Sequence, residues 1–468
     1  MKVFESLKRL FNSKIISKTV IFLIIVIVFV RNIDQKSWKY PNRVICWDIV
    51  SYYAYLPATF IYHDLTFNFL NDPGENFSGI IWAKNAPTGK PVIITTMGMS
   101  ILYAPFFLLA HLYTGFTHFK ADGYTEPYSF FLIMSCIFYF ALGLFYLRKL
   151  LLQFFDDLTI SIVLIVLTFG TNLWYYTTKE PPMPHAYDFS LITIFTYITS
   201  KWYKRPTANL SVLLGVLSGL ISLIRPSNII IVIVFLLWGI KNLSDLQKRI
   251  LLYYSKFWTI ILIPVTAFIM WIPQFYYWKM QTGTFLYYSY GDSERFFFEH
   301  PQIIRVLFSY RKGWLVYTPV MIFALFGFFS LWKRAIKYFW VILIFFALHL
   351  YIISSWWCWW WGGSFGLRAM IDIYGVLAIP LGFTIQKICE TKLLIRLPGF
   401  VMIFCLIYLS LFNTMQFNRN IIHWDSMTKR AYWAVFLKHS VPEGYDQMLE
   451  QPDYIKARKG IQATIETK

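Results

Sequence analysis

The sequence predicts an all-α polytopic membrane protein, and three observations lead to this fold class. Hydrophobic residues make up 57% of the chain and charged residues only 14%, whereas roughly a quarter of a soluble domain is charged. Apolar segments such as TVIFLIIVIVFV (19–30) and FWVILIFFALHLYII (339–353) recur along the chain and approach the length of a bilayer-spanning helix. Short basic clusters separate these segments, as in cytoplasmic turns.

The first apolar segment is predicted to remain as an anchor, because the following VRNIDQKSWKYPNR (30–43) offers no small-residue cleavage site. The segment 99–113 is equally apolar, but counting it as a span would place the basic turn 148–155 outside. We therefore predict that 99–113 forms a helix in the outer interface. The N-terminus is assigned to the cytoplasm by Lys2, Lys8, Arg9, Lys14 and Lys18.

This assignment gives about eleven transmembrane helices, with the basic turns near 148, 200, 241, 332 and 386 in the cytoplasm. The predicted spans are 19–32, 128–147, 158–175, 187–200, 208–224, 228–240, 257–277, 314–331, 338–353, 372–386 and 397–413.

The segments on the outer side hold most of the polar residue combinations. Residues 1–413 are predicted to form one transmembrane domain, and 414–468 an outer tail with an amphipathic helix at 427–440. The outer loops are 33–127, with its surface helices, 176–186, 225–227, 278–313 and 354–371.

The net charge of +19 follows from the cytoplasmic clusters, so no nucleic-acid partner is predicted. The five cysteines show no metal-ligand spacing. Cys46 and Cys358 both fall on the outer side, where a disulfide between them and two free thiols both stay open.

Asp48 lies in ICWDIVSYYAYLP (45–57), among aromatic and apolar residues at the start of the first outer loop. Desolvation beside such walls disfavours a charged carboxylate, which suits Asp48 to act as a base. Tyr52 and Tyr53 follow it and are candidates for sugar or lipid binding. The alternative is a solvated loop aspartate within an aromatic interface belt.

The second outer loop brings Glu180, His185 and Asp188 close together in sequence. Carboxylates and an imidazole can bind a divalent cation or relay a proton, although the spacing matches no specific metal motif. A polar turn capped by Asp188 is the alternative.

Several cations are predicted on the outer side, against the positive-inside trend. Arginine suits bidentate capture of phosphate oxygens, while snorkelling to lipid headgroups explains any single one. Their recurrence in three outer turns indicates a shared anionic ligand. The candidates are Arg225, Arg311, Lys312 and Arg368.

The segment SSWWCWWWGGSFGLR (354–368) has the least ordinary composition in the chain. Tryptophan rings stack on sugars or pack against isoprenoid chains, and glycines let a ligand approach the backbone. Interface anchoring explains one or two of the tryptophans. The candidates for sugar or lipid binding here are Trp360, Trp361, Gly362 and Gly363.

The order of these features resembles the GT-C superfamily of membrane glycosyltransferases, which includes protein O-mannosyltransferases, lipid A aminoarabinose transferases and oligosaccharyltransferase catalytic subunits. The shared features are a first helix, a long outer loop that opens with the acid Asp48, a surface helix at 91–107, a basic turn and a second outer loop with acids. The resemblance implies a GT-C-like arrangement of the membrane helices.

The resemblance also implies an activity: transfer of a hexosyl or pentosyl group from a polyprenyl-phosphate-linked donor to a glycan, lipid or protein acceptor. Asp48 would be the base of an inverting displacement, with the outer cations around the leaving phosphate. Relatives have an Asp-Glu pair where this chain has Asp48-Ile49, and some have a DxD-like pair where this chain has Glu180, His185 and Asp188. The reaction is therefore expected to be metal-independent or weakly assisted by a divalent cation.

Two other functions stay open. An O-antigen ligase-like or polymerase-like enzyme would use Arg295, His300, Arg305 and Arg311 in the 278–313 loop. A flippase or transporter of lipid-linked glycans would need access from both faces, whereas the cytoplasmic turns are short. The abundance of Lys, Ile, Phe and Asn indicates a bacterial protein, which places it in the cytoplasmic membrane with its site facing outward.

Overall fold

The computed structural model describes residues 15–71, 81 and 83–461. These residues are mostly helical, as the sequence predicts. The described part also contains one small antiparallel sheet, in which β1 (Ala83–Asn85) pairs with β2 (Pro91–Ile93) and Ala83 lies opposite Ile93. The N-terminal basic residues Lys2, Lys8, Arg9 and Lys14, the segment 72–80 of the first outer loop and the end of the tail, 462–468, lie outside the described residues.

The longer helices form the body of the molecule. They are α1 (Ile16–Gln35), α2 (Gly98–Thr114), α3 (Glu126–Leu151), α4 (Asp157–Phe169), α5 (Pro184–Trp202), α6 (Ala208–Ile224), α7 (Leu243–Ser255), α8 (Leu262–Thr282), α9 (Ile322–Arg334), α10 (Ile336–Ser355), α11 (Tyr374–Glu390) and α12 (Leu393–Asn418).

Short helices fill the connections between them. The α-helical ones are Asp48–Tyr53, Tyr55–Phe60, Leu173–Thr178, Val232–Leu237, Phe257–Ile260, Ile303–Phe308, Trp314–Tyr317, Lys429–Val435 and Tyr454–Arg458. The 3₁₀ turns are Ser37–Lys39, Asn68–Asn71, Pro226–Ile231, Pro319–Met321, Arg368–Ile373 and Tyr445–Met448.

The membrane character is carried by six helical segments of the described chain that are long and apolar enough to cross a bilayer. The predicted number of about eleven spans is not confirmed. The other predicted spans coincide with helices that are shorter, broken or less apolar; 314–331, for example, is divided at Pro319 into three helical pieces. The six segments are Ile16–Lys39, Glu126–Leu151, Phe257–Thr282, Ile336–Ser355, Arg368–Glu390 and Leu393–Asn418.

Contacts of α1 define two ends of the bundle. Near its start, the backbone N–H of Ser17 donates to the carboxylate of Asp157 at 2.9 Å, and near its end Gln35 donates to the carbonyl of Thr178 at 2.8 Å. A helix of this length spans about 30 Å. The turn between α3 and α4 therefore lies at one end, and the loop that contains Glu180 lies at the other.

The basic turns gather at the end where α1 begins. The Gln153 amide, just after α3, donates to Ser200 near the end of α5 at 2.9 Å. Tyr203 and Tyr253 share a hydrogen bond of 2.6 Å between their hydroxyls, and the rings of Phe154 and Tyr338 are 5.0 Å apart. This clustering is the arrangement that the positive-inside rule predicts for a cytoplasmic surface.

Helices α6 and α8 pack closely because α6 presents glycine where they cross. A Cβ at Gly215 would overlap Thr266, and one at Gly219 would lie 2.8 Å from the Cβ of Met270. The GVLSG sequence thus supplies the spacing of small residues that lets two membrane helices approach. Close approach at this point fixes the end of α6, where Arg225 follows.

The predicted tail helix at 427–440 is shorter in the structure, spanning Lys429–Val435. The Thr428 hydroxyl caps it by accepting from Ala431 N–H at 3.1 Å. Tyr432 is buried against Tyr310, with ring centroids 5.2 Å apart. The tail therefore packs on the outer loop 278–313 through this helix.

Asp157→Asn is expected to lower the stability of the bundle by roughly 3 kcal/mol, because it removes the carboxylate paired with the buried guanidinium of Arg148 at 3.6 Å. Glu390→Gln breaks the exposed pair with Arg334, 2.7 Å long, and should cost less than about 1 kcal/mol. Thermal unfolding in detergent, followed by tryptophan fluorescence, compares the two variants. An equal loss of stability in the two variants would contradict the view that the Asp157–Arg148 pair is buried and the Glu390–Arg334 pair is exposed.

Candidate active site around Asp48

Asp48 is the first residue of the helix Asp48–Tyr53 and is positioned by a sharp turn before it. Trp47 has φ of 50°, an unfavourable conformation for a bulky residue. The helix is fixed on the start of α2, because the Ser100 hydroxyl donates to the carbonyl of Tyr52. The short helix that follows is fixed by Tyr55, whose hydroxyl donates to the carbonyl of Thr95 at 2.7 Å.

The carboxylate of Asp48 forms an ion pair with Arg368. The Arg368 NH2 group donates to Asp48 Oδ2 at 2.9 Å, and the two residues are 320 positions apart in sequence. The side chain of Asp48 is 47% exposed and that of Arg368 is 13% exposed. Asp48 is therefore an accessible carboxylate that rests against a largely buried cation.

Arg368 is placed by the glycine-rich loop before it. Gly366 has φ of +57°, and a Cβ there would lie 3.1 Å from the Cβ of Tyr317, so this position requires glycine. The N–H of Phe365 donates to the Tyr176 hydroxyl at 3.2 Å. The Lys312 ammonium group donates to the carbonyl of Ser364, so Lys312 supports this loop from inside the protein.

Arg225 lies where α6 ends and the 3₁₀ turn Pro226–Ile231 begins. Its backbone is extended, as the following proline favours. Its guanidinium lies 3.5 Å from the carboxylate of Asp372 and 5.1 Å from the ring centre of Trp361. The side chain is 12% exposed, so Arg225 is a second cation held at the same end of the bundle.

His185 is buried between Arg225 and Asp372. Arg225 NH2 lies 3.3 Å from His185 Nε2, and His185 Nδ1 lies 3.1 Å from Asp372 Oδ1. Because arginine can only donate, Nε2 is the acceptor and Nδ1–H donates to Asp372. His185 is therefore neutral in this arrangement and orients both charged partners.

Asp188 belongs to the buried polar network that contains His185 and Asp372, and not to the surface around Asp48. The Asn228 amide lies 3.3 Å from Asp188 Oδ2 and 3.1 Å from Asp372 Oδ2, bridging the two carboxylates. Asp188 Oδ1 is buried without a hydrogen bond among the described residues. Its position supports the packing between α5 and the turn after α6.

Glu180 lies near Asp48 and Arg368 and is half-buried. The Tyr175 hydroxyl donates to its carboxylate at 2.8 Å. Burial raises the pKa of Glu180, while the Tyr175 hydrogen bond and the charge of Arg368 oppose this rise. Glu180 thus differs from Asp48, which is exposed to an incoming substrate.

Tyr52 and Tyr53 have different surroundings although they are adjacent. Tyr52 is buried beside the charged groups: burial raises its pKa to about 12, and the positive charges of Arg225 and Arg368 oppose the rise. The Tyr53 hydroxyl instead donates to the carbonyl of Gly123, and its ring contacts Phe107 at 5.8 Å. Tyr53 packs in the protein interior and does not join the site.

Neighbouring residues of the tryptophan segment also have different surroundings, some beside Arg225 and others against the tail. Trp361 has φ of 59°, followed by Gly362 with φ of 69°, and this turn brings the Trp361 ring beneath Arg225. Trp360 is buried against Tyr454 of the tail, with ring centroids 5.4 Å apart. A side chain at Gly363 would overlap the ring of Trp424, 2.8 Å from its Cε3 atom.

Arg311 also contacts the C-terminal tail. Its NH1 group donates to the carbonyls of Asp425 at 2.6 Å and Glu450 at 3.0 Å. Arg311 and Trp360 thus contact the tail, and Gly363 lies against Trp424. Their roles in phosphate, sugar or lipid binding stay predictions.

Glu180, His185 and Asp188, the candidates for a divalent-cation site, are not arranged around a common point. No group of three or more His, Cys, Asp or Glu side chains is arranged around a possible ion in the described part of the chain. Both ring nitrogens of His185 are already engaged, and Glu180 bonds to Tyr175 rather than to His185 or Asp188. All five cysteines, including Cys46 and Cys358, are free thiols.

Three residues of the site were not among the sequence predictions. Asp372 and Asn228 hydrogen-bond to each other and to the buried side chains of His185 and Asp188. Tyr290 is half-buried where the charges of Asp48 and Arg225 influence it. A usable signal existed for Asp372, an acid four positions after Arg368 in LRAMID. Nothing distinguished Tyr290 from its many aromatic neighbours.

No protein-family model matches the chain, and no curated protein is significantly similar to it.

Lys312 predicts a pH dependence of stability. Burial lowers its pKa to about 7, Arg368 adds to the effect and Asp425 opposes it, whereas an unfolded lysine titrates near about 10.4. Between about pH 7 and 10 the unfolded chain binds a proton that the folded protein does not, so this residue makes stability rise with pH in that window.

Lys312→Met should reduce the rise in melting temperature between pH 7 and pH 10, measured in detergent. Lys429→Met, at an exposed position of the tail, provides the control and should leave the wild-type profile unchanged. Parallel profiles for Lys312→Met and wild type would show that burial does not lower the pKa of Lys312 in the folded protein.

Proposed function

We propose that this protein is a membrane glycosyltransferase that transfers a sugar from a polyprenyl-phosphate-linked donor to an acceptor, with Asp48 as the base. One observation carries the proposal: the half-exposed carboxylate of Asp48 lies 2.9 Å from Arg368, which is largely buried. Arg225 is held nearby by Asp372 and His185. An accessible base beside fixed cations is what displacement of a phosphate leaving group requires.

The reaction follows from the roles of these groups. The acceptor hydroxyl attacks the anomeric carbon, a new carbon–oxygen bond forms, and the hydroxyl proton passes to Asp48. The bond from the anomeric carbon to the phosphate oxygen breaks, and its electron pair leaves with the polyprenyl phosphate. A single displacement of this kind inverts the anomeric centre.

The Asp48–Arg368 ion pair suggests how donor binding prepares the base. A donor phosphate is a stronger partner for a guanidinium than one carboxylate, because it offers more acceptor oxygens. Phosphate bound to Arg368 would release Asp48 to face the acceptor. Asp48 is then available as a base only when the donor is in place, which limits wasteful hydrolysis.

The proposed location is a bacterial cytoplasmic membrane with Asp48 facing outward. The basic turns lie at the opposite end of the bundle from the Glu180 loop, which supports a cytoplasmic assignment for that end. The polyprenyl chain would lie along the apolar surface of the helices. The acceptor, whether a glycan, a lipid or a protein, would reach Asp48 from the exposed side.

Asp48→Asn is expected to reduce sugar transfer by about 100- to 10,000-fold, because the amide keeps the shape but cannot take the proton. Transfer is measured with purified protein in nanodiscs and a panel of polyprenyl-phosphate sugars. Asp34→Asn, which removes an exposed carboxylate paired with Arg31 at 3.0 Å, should retain full activity. Equal transfer by Asp48→Asn and wild type would remove Asp48 from the mechanism.

Arg225→Gln is expected to weaken binding of polyprenyl phosphate by roughly 10- to 100-fold, the usual effect of losing a hydrogen bond to a charged group. Equilibrium binding is measured by displacement of a fluorescent polyprenyl phosphate. Arg31→Gln removes an exposed arginine, 45% accessible, and should bind normally. Unchanged binding by Arg225→Gln would assign this arginine to packing alone.

A further inference from the structure

A second concave site lies at the end of the bundle opposite Asp48. It is a cavity of about 440 Å³ between the end of α5, the helix α7 and the start of α10. Its basic lining residues are Lys204, Lys248, Arg249 and Lys337. Asp245 is the one acidic residue among the lining residues in the described chain.

The positive charge of this cavity is not neutralised from within. Across residues 15–71, 81 and 83–461, none of the four cations forms an ion pair with a carboxylate. Asp245 instead accepts from the backbone N–H of Lys241 at 3.2 Å. Four cations around one concave surface favour an anionic ligand.

One wall of the cavity is rigid. Arg249 donates to the carbonyls of Leu236 at 3.1 Å and Trp238 at 2.6 Å. Its guanidinium also lies 3.7 Å from the ring centre of Tyr203. Arg249 is thus preorganised, whereas the three lysines each carry a point charge on a flexible four-carbon chain that can adjust to a ligand.

The helix α7 indicates where the cavity lies relative to the bilayer. Asp245, Lys248 and Arg249 face the cavity, while Ile250 and Tyr254 on the other side of the helix are 60% and 86% exposed. Trp258, just beyond α7, is 81% exposed. A helix with these two faces lies in the membrane interface, with its apolar side in the acyl region.

We propose that this cavity binds the phosphate headgroup of an anionic membrane lipid. The cations suit phosphate, and the exposed apolar side of α7 provides adjacent surface for acyl chains, which a soluble phosphate compound would not use. Ser200 and Gln153 line the same cavity and are hydrogen-bonded to each other, which fixes this wall. The site is separate from Asp48 and does not depend on the proposed transferase activity.

The test is a titration of the purified full chain with phosphatidylglycerol or phosphatidylcholine, followed by native mass spectrometry. The variant Lys204→Gln/Lys248→Gln/Lys337→Gln should bind phosphatidylglycerol on the order of 100-fold more weakly, from about 1 kcal/mol per lysine near a charged surface. The matched control Lys241→Gln/Lys387→Gln/Lys392→Gln loses the same charge at the same end, outside the cavity, and should bind as wild type does.

Three results would overturn the proposal. Equal weakening by both triple variants would indicate diffuse attraction to the basic surface instead of a site. Equal binding of the two lipids by wild type would exclude headgroup recognition, and this comparison stands even if a variant fails to fold. Displacement of phosphatidylglycerol from wild type by an equal concentration of inorganic phosphate would indicate a soluble anion as the ligand.

Discussion

The ion pairs that Arg225 and Arg368 make at one end of the bundle constrain much of the surrounding structure. A charge taken out of water is tolerated only where a partner and hydrogen bonds replace the lost solvation. Asp372 and His185 provide this for Arg225, and Asp48 provides it for Arg368. These contacts join segments that are far apart in sequence, so this end of the bundle is assembled from several parts of the chain and not from one loop.

The two cations differ in how they are neutralised, and this difference gives the site its chemical asymmetry. Arg225 is paired with Asp372, a carboxylate that is 1% exposed and cannot leave. Arg368 is paired with Asp48, which is 47% exposed. Under the proposed activity, an incoming anion would replace Asp48 far more easily than Asp372, because Asp48 is the accessible one of the two carboxylates.

The sequence was sufficient for the helical membrane character, but not for the contacts that each polar side chain makes. Composition and apolar segments determine the solvent of a chain, and isolated charges beside such segments are costly enough to mark functional places. Orientation is a different problem. Tyr52 and Tyr53, or Arg311 and Lys312, are neighbours in short elements, where adjacent side chains point in different directions. The contacts that each of two such neighbours makes depend on tertiary packing, as does the packing of Trp360 and Gly363 against the tail.

The number of spans was uncertain for a related reason. Helices such as α4 and α5 are buried by other helices of the protein, so their surroundings are protein and not lipid, and they need neither the length nor the apolarity of a lipid-facing span. Residues of α5 such as His185 and Asp188 lower its hydropathy because they line the buried polar group. Hydropathy does not separate helices that face lipid from helices that face protein, since the segment Arg368–Glu390 is mostly buried and carries Asp372 of the polar network, yet it is apolar enough to cross a bilayer. The number of spans therefore depends on whether a short or polar helix such as α4 or α5 is surrounded by other helices, which the tertiary packing decides.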